Sequence, residues 1–139
     1  VGTSEYGALS VGVRSVARVE SVVRVPRTAF RPMPRVDSSV VRIRPTVPPP
    51  LSLEEEISLR NLTRAAFQWR RKQFQKTLRE HVDLGLSREA LDRIGHETGW
   101  DLTRRPETFK PEEFVRLSKL VGEGGGSKSP HLTLQPPSA

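Results

Sequence analysis

The first part of the chain places apolar side chains at helical spacing. Tyr6, Leu9, Val13 and Val16 are three or four residues apart, so they lie on one face of a helix. This spacing predicts a helix over about residues 5–17. The valines lower its intrinsic helix propensity, because a β-branched side chain loses rotamer freedom in a helix.

An alternating pattern replaces the helical one and predicts two strands. Apolar and polar positions alternate over residues 19–25, which end at Pro26, and again over residues 37–44. A loop of about a dozen residues joins the two segments, and such a connection favours antiparallel pairing. We expect one face of the first strand to carry the side chains of Val19, Ser21, Val23 and Val25.

A proline-rich linker over residues 46–51 divides the chain into two predicted units. Three consecutive prolines favour the extended polyproline II conformation and make a semi-rigid spacer. Beyond the linker, apolar spacing and capping residues predict helices over residues 52–80, 87–95 and 111–120. The low-complexity tail, 122–139, is predicted to be disordered. The chain therefore combines an α/β unit over 1–45 with an all-α unit over 52–121.

The composition of the chain indicates an anionic binding partner. The chain has 139 residues, of which 35% are hydrophobic, so it suits one domain or at most two. Its net charge of +7 favours nucleic acid, acidic lipid headgroups or an acidic protein. Most of its bases are arginines, whose planar guanidinium fits phosphates and base edges. A GC-rich genome would also favour arginine, so this preference is open to two explanations.

Several classes of protein are excluded by what the sequence lacks. There is no cysteine, which excludes disulfides and thiolate metal sites. The three histidines, His81, His96 and His131, match no ligand spacing, and we expect no metal. No apolar run approaches the ~20 residues of a membrane span, and the first residues do not resemble a signal peptide. We expect a cytoplasmic protein. Because the chain starts at Val1, we also expect it to be part of a longer protein.

The loop between the two predicted strands carries the strongest candidate chemistry. Phe30 precedes Pro32 and Pro34, which restrict the backbone and hold the ring on a semi-rigid arm. Aromatic rings grip bases taken out of a nucleic-acid stack, and basic neighbours hold the phosphates. The basic neighbours here are Arg27, Arg31 and Arg35. The alternative is that Phe30 caps the core of a small domain and the prolines only shape a turn.

A second candidate is the basic part of the long predicted helix. Its bases are Arg70, Arg71, Lys72, Lys76 and Arg79, and the spacing places Lys72, Lys76 and Arg79 on one face. Phe67 and Phe74, seven residues apart, are expected to point into a core. Such a helix can lie across nucleic-acid phosphates, or its charges can simply form a solvated face. Trp69 is expected in a core or an interface, with stacking on a base as the alternative.

Four segments together resemble a known family. They are YGALSV at 6–11, VPRTAFRPMPRVDSSVVRIRP at 25–45, AAFQWRRKQFQKTLR at 65–79 and KPEEFVRLSKL at 110–120. In this order they resemble bacterial small-subunit rRNA adenine dimethyltransferases. The FxPxPxVDS segment is the most specific, and it is also similar to a motif of the macrolide-resistance rRNA methyltransferases. The resemblance covers about residues 5–121.

The resemblance implies a two-domain enzyme that uses S-adenosylmethionine. It implies that residues 1–45 end a Rossmann-like methyltransferase domain, contributing one helix and its last two strands, and that residues 52–121 form a helical rRNA-binding domain. The reaction that the resemblance implies adds two methyl groups to N6 of each of two neighbouring adenosines near the 3′ end of small-subunit rRNA, during assembly of the 30S particle. The implied enzyme acts as a monomer.

The resemblance also indicates what this chain lacks. The family's glycine-rich cofactor loop, its acidic ribose ligand and its Asn-x-Pro-aromatic motif do not occur here, and the only asparagine, Asn61, is followed by Leu62 and Thr63. We therefore expect a missing N-terminal part to bind the cofactor and this chain alone to be inactive.

By the same resemblance, Phe30 packs near the target adenine. Its supporting loop consists of Pro32, Pro34, Val36, Asp37 and Ser38. Two other functions remain open at this point: a non-enzymatic module that binds RNA or ribosomes, and a methyltransferase of the macrolide-resistance type that acts on large-subunit rRNA.

Overall fold

The computed structural model describes residues 1–124 and contains a two-stranded ribbon and five α-helices. The elements are α1 (Ala8–Val16), β1 (Ala17–Val25), β2 (Ser38–Pro45), α2 (Leu53–Gln68), α3 (Phe74–Glu80), α4 (Arg88–Thr98) and α5 (Pro111–Gly124). Short 3-10 turns lie at Arg27–Ala29 and Pro106–Thr108. Within the described residues, no helix has the length and apolar character needed to cross a membrane.

The two strands pair antiparallel, as the alternation predicted, but a register irregularity changes their faces. Val19 lies opposite Ile43 and Val23 lies opposite Val40, with a bulge between Ser21 and Val23. Because Ile43 and Val40 are three residues apart on β2, they point to opposite faces. The prediction that Val19 and Val23 share a face is therefore wrong. One extra residue in a strand reverses the side-chain alternation beyond it.

The long helix predicted over residues 52–80 is two helices. Its start is as predicted: the Ser52 hydroxyl accepts a hydrogen bond from the Glu55 backbone N–H at 3.2 Å, and the Glu55 carboxylate accepts one from the Ser52 N–H at 2.8 Å. The helix ends at Gln68, however, and α3 begins only at Phe74. The Phe74 backbone N–H donates to the Arg104 carbonyl at 2.9 Å. A distant segment thus satisfies the first donors of a new helix.

The last two helices are longer than predicted. The Ser87 hydroxyl caps α4 by accepting from the Ala90 N–H at 3.1 Å, and α4 continues to Thr98, past the predicted end at residue 95. It stops at Gly99, whose φ of 69° lies in the left-handed region that favours glycine. Helix α5 extends to Gly124, so residues 122–124 are helical and the prediction of disorder there is wrong. The rest of the predicted tail, residues 125–139, lies outside the described residues.

The core is an aromatic cluster among the helices, and α1 contributes to it. Phe74, Phe109 and Phe114 are fully buried, with ring centroids 5.1–6.1 Å apart. Tyr6 and Val11, from the predicted α/β unit, belong to this same core, and α1 packs against α2 and α5. The expectation that Phe67 and Phe74 point inward is confirmed. The division of the chain at the proline linker stays a prediction.

Tyr6 offers a direct test of this packing. Its hydroxyl donates to the Phe109 carbonyl at 2.8 Å, and burial, reinforced by Glu112, raises the pKa of Tyr6 to about 12. Tyr6 is the only tyrosine, so phenolate absorbance in an alkaline titration reports it alone. We expect a midpoint near 12 in the folded chain, against about 10 in urea.

Because the pKa of Tyr6 is raised, its contribution to the stability of the fold depends on pH. The neutral phenol stabilises the fold fully below about pH 10, and this contribution is lost as the pH rises through 12. A midpoint near 10 in a chain whose circular dichroism still shows the native fold would contradict the burial of Tyr6.

Candidate nucleic-acid interface

The loop between β1 and β2 is closed at its base by one carboxylate. Asp37 accepts a hydrogen bond from the Arg27 backbone N–H at 3.0 Å through one oxygen, and from the Arg24 guanidinium at 3.0 Å through the other. The Arg27 backbone N–H, followed by the Arg24 side chain, holds the pKa of Asp37 below its usual value. The carboxylate therefore ties the end of the loop to its beginning at neutral pH.

The apex of this loop presents Phe30 to solvent. A 3-10 turn over Arg27–Ala29 precedes it, and the Phe30 N–H donates to the Arg27 carbonyl at 3.3 Å. Phe30 is 41% exposed and is not part of the core. The alternative in which Phe30 caps the core of this chain is therefore wrong for the described residues. Met33 and Val36, on the same loop, are also exposed.

The guanidinium groups of the three loop arginines form no hydrogen bond with residues 1–124. Arg27, Arg31 and Arg35 are exposed, and none of them forms an ion pair with another described residue. Their charges are not neutralised within residues 1–124, whereas Arg24 is occupied by Asp37. An exposed ring flanked by unpaired guanidinium groups suits a ligand that combines a planar group with phosphates.

We expect the substitution Asp37→Asn to loosen this loop. The amide cannot accept the charged hydrogen bond as strongly, so the loop should open more often. Trypsin should then cleave after Arg27 and Arg35 several-fold faster, because cleavage within a closed loop requires that the loop open first. Arg31 precedes Pro32, which protects it from trypsin. Because the pKa of Asp37 is lowered, the wild-type loop should loosen only as the pH falls through that lowered value.

A matched control is Glu20→Gln, which removes the ribbon's other ion pairs. Glu20 lies 3.8 Å from both Arg42 and Arg44, on the opposite side of the bulge from the loop. The Glu20→Gln substitution should leave trypsin cleavage after Arg27 and Arg35 unchanged. Equal acceleration of cleavage by both substitutions would show that Asp37 does not restrain the loop specifically.

The second candidate surface surrounds the turn between α2 and α3. Arg71 and Lys72 lie in this turn and are exposed, while Lys76 and Arg79 lie on α3. The prediction that Lys72 shares a helical face with Lys76 and Arg79 is wrong, because the helix is interrupted before α3. Lys76 and Arg79 both contact Glu80, at 3.9 and 2.8 Å.

Arg70 differs from its basic neighbours because its guanidinium points inward. It donates to the carbonyls of Ser4 at 2.7 Å and Thr3 at 3.0 Å, and its closest contact with the Glu107 carboxylate is 2.8 Å. These bonds tie the segment before α1 to the turn before α5. The structure thus separates Arg70 from the exposed bases with which the sequence grouped it.

Sequence reasoning did not single out Arg24, although a signal for it existed. Arg24 and Asp37 lie at the loop-proximal ends of two strands predicted to pair antiparallel, so they had to be close. Opposite charges at such positions stabilise the closing end of a hairpin. Within residues 1–124, no three His, Asp or Glu side chains are grouped so that they could hold a metal ion.

Two solved structures share this fold. The 23S rRNA methyltransferase ErmE aligns with a TM-score of 0.61 and 21% identity, over 84% of this chain and 46% of that one. A dimethyladenosine transferase from Plasmodium falciparum aligns with a TM-score of 0.55 and 20% identity, over 84% of this chain and 49% of that one. The ribbon and helices therefore form a fold that this chain shares with both enzymes.

Sequence comparison identifies the family. The family model described as ribosomal RNA adenine dimethylase matches residues 1–116. Ribosomal RNA small subunit methyltransferase A of Bacillus thuringiensis (strain Al Hakam) is 41% identical over 121 residues, and that of Bacillus mycoides (strain KBAB4) is 40% identical. Both alignments cover 86% of this chain and 41% of the relative. The chain belongs to the ribosomal RNA adenine dimethylase family and spans about two-fifths of the length of these relatives.

Proposed function

We propose that this chain is the C-terminal part of an S-adenosylmethionine-dependent enzyme that dimethylates N6 of two adjacent adenosines near the 3′ end of small-subunit rRNA. The observation that carries the proposal is the exposed Phe30 ring on a loop closed by Asp37, in a chain of this family. The enzyme would act in the cytoplasm, as a monomer, on an assembling 30S particle.

Phe30 would form one wall of the slot for the target adenine. A base taken out of its stack loses its neighbours, and an exposed aromatic ring replaces part of that stacking. The loop holds the ring in place before the base arrives, because Asp37 fixes both of its ends. Arg27, Arg31 and Arg35 would then hold the flanking phosphates. When bound by the preceding part of the protein, S-adenosylmethionine supplies the methyl group.

Exposed apolar surface supports a preceding domain that covers the ribbon. Val22, Val23, Val40, Val41 and Ile43 are each about half exposed, and Leu9 on α1 is 80% exposed. In the described residues the ribbon has only two strands, so both of its outer edges lack a partner strand. Monomeric proteins seldom leave such edges and apolar patches uncovered. We infer that β1 and β2 complete a larger Rossmann-like sheet in the full-length protein.

The helical part would bind rRNA through its exposed bases. Arg71 and Lys72 lie at the α2–α3 turn, and Lys76 and Arg79 follow on α3. Each phosphate that such a base neutralises adds affinity and makes binding sensitive to salt. Arg70 is left out of this set, because its guanidinium is engaged by internal carbonyl and carboxylate groups.

The identity of the relatives favours small-subunit over large-subunit rRNA. The relatives at 40–41% identity are named as small subunit methyltransferases, whereas the structure named as a 23S rRNA methyltransferase is only 21% identical. Likeness at that lower identity supports the fold alone. The target is therefore proposed as the adenosine pair of the small subunit.

The decisive experiment is methyl transfer by the full-length protein. With S-adenosylmethionine labelled in its methyl group, the protein should label undermethylated 30S particles, and nuclease digestion should release N6,N6-dimethyladenosine. Free 23S rRNA is the control and should remain unlabelled. Labelling of 23S rRNA alone would establish the large-subunit activity instead. Binding to 30S particles without any labelling would favour the non-enzymatic module.

A further inference from the structure

The turn between α2 and α3 holds a tryptophan outside the hydrophobic core. Trp69 caps the end of α2 and is only partly buried. It does not belong to the core or to the partly buried side chains packed on it, whereas Trp100 does. Of the two roles expected for Trp69, the core role is therefore wrong for the described residues. A large aromatic ring at the surface needs another explanation.

The Trp69 ring is nevertheless held in place by a buried histidine. The His81 ring packs against Trp69 edge-to-face, with centroids 5.3 Å apart. His81 is itself buried, and its two ring nitrogens lie 3.1 Å from the Gln68 side-chain oxygen and 3.3 Å from the Asp83 backbone nitrogen. The histidine is thus fixed by neighbours on both sides. A platform that is fixed before the ligand arrives loses little freedom on binding.

A lysine covers the ring. The Lys72 ammonium group lies 3.8 Å from the centroid of Trp69 and forms no ion pair within residues 1–124. An ammonium group at the surface binds an indole ring only weakly, and a stacked base binds it more strongly. The flexible lysine can swing aside and remain next to the ring. An entering base would therefore exchange the weaker contact for a stronger one.

The charge around this ring is positive. Arg70 at the turn is paired with Glu107, and the remaining bases at the turn and on α3 are Arg71, Lys72, Lys76 and Arg79. The nearby acids are Glu80, which pairs with Lys76 and Arg79, and Asp83, whose carboxylate lies 3.8 Å from His81. Four bases against two acids leave a charge of +2, and Arg71 has no ion-pair partner among the described residues.

We propose that Trp69 is a second base-binding platform, on which an unpaired nucleotide of the substrate RNA stacks while Lys72 and Arg71 hold its phosphates. The proposal rests on the proposed function in taking RNA as the ligand. It adds a site in the helical part, separate in sequence from the Phe30 loop. A duplex would not suit it, because paired bases keep their faces stacked and offer no free ring to Trp69.

Tryptophan fluorescence tests the platform directly. Trp69 and Trp100 are the only tryptophans, so the Trp100→Phe chain reports Trp69 alone. Titration with a single-stranded adenosine hexamer should quench this emission, because a base stacked on indole quenches it. The control is an abasic hexamer with the same backbone and charge. It should bind less well and leave the emission nearly unchanged. Equal quenching by both strands, or by neither, would overturn the proposal.

Substitutions distinguish the contribution of ring stacking to hexamer binding from the contribution of charge. Trp69→Leu should weaken hexamer binding by about tenfold, while Trp69→Phe, which keeps a ring, should lose much less. Lys72→Gln should weaken binding and lower the slope of log K against log salt by about 0.7. Circular dichroism identifies variants that fold. A folded Trp69→Leu chain that binds the hexamer like wild type would refute the platform.

Failure here is distinguishable from failure of the proposed function. If the full-length protein methylates 30S particles but the hexamer does not quench Trp69, only the second platform is refuted. If no methyl transfer occurs but the hexamer quenches Trp69 and the abasic strand does not, the platform stands on an RNA-binding protein of another function.

Discussion

Replacing Phe30 by alanine in the full-length protein is expected to lower kcat about tenfold to a hundredfold, with the Kd for the 30S particle changed less than about twofold. Stacking of one base on an aromatic ring contributes about 1–3 kcal/mol. Under the proposed function, the target adenine would stack on Phe30 only after it leaves its own base stack, so the stacking energy would raise kcat and not the affinity for the particle. Affinity for the particle would depend instead on many phosphate contacts, to which the apolar Phe30 ring would not contribute.

Two variants make this result specific to the ring. Phe30→Tyr keeps the aromatic face and should retain most activity. Met33→Ala removes a neighbouring exposed apolar side chain from the same loop and should leave kcat nearly unchanged. Single-turnover rates and filter binding on the same preparations measure the two quantities. Losses of similar size in kcat and affinity would place Phe30 in general RNA binding and not at the target base.

The ribbon and its loop could be predicted because their signals are local. Alternation gave the two strands and their pairing, and the two prolines marked an ordered loop. The sequence left open whether Phe30 is exposed or caps a core, and the structure shows it exposed. Composition could not decide it, since a ring at a loop apex serves equally as a core cap or as a ligand platform.

Contacts between distant segments account for what sequence reasoning missed. Phe67 and Phe74 keep helical spacing, so nothing local indicated a break between α2 and α3. The break depends on hydrogen bonds to the backbone near Leu102 and Arg104, about thirty residues away. The same break sets Trp69 and Lys72 at an exposed turn, so the second platform could not be located from the sequence. Helical periodicity describes spacing within one segment, so it carries no information on contacts with a distant segment.

Arg70→Ala is expected to lower the free energy of unfolding of this chain by about 2 kcal/mol, a factor of about thirty in the folding equilibrium. The substitution leaves the Ser4 carbonyl and the Glu107 carboxylate without the donor that Arg70 supplies. The Thr3 carbonyl keeps only its hydrogen bond from the Tyr6 backbone N–H. The Arg70 and Glu107 side chains are 31% and 23% exposed, so water compensates in part, and the loss stays below that of a fully buried pair.

The neighbouring Arg71→Ala is the matched control, because it removes the same charge one residue away. Arg71 is exposed and its side chain forms no ion pair or hydrogen bond with a described residue, so its loss should change stability by less than about 0.5 kcal/mol. The effects on RNA should be reversed. Arg71→Ala should weaken binding and reduce its salt dependence, whereas folded Arg70→Ala should bind like wild type. Urea unfolding and hexamer titration of both variants measure the two quantities. If the Arg70→Ala chain is as stable as wild type but binds RNA more weakly, Arg70 belongs to the RNA-binding surface and its structural role is contradicted.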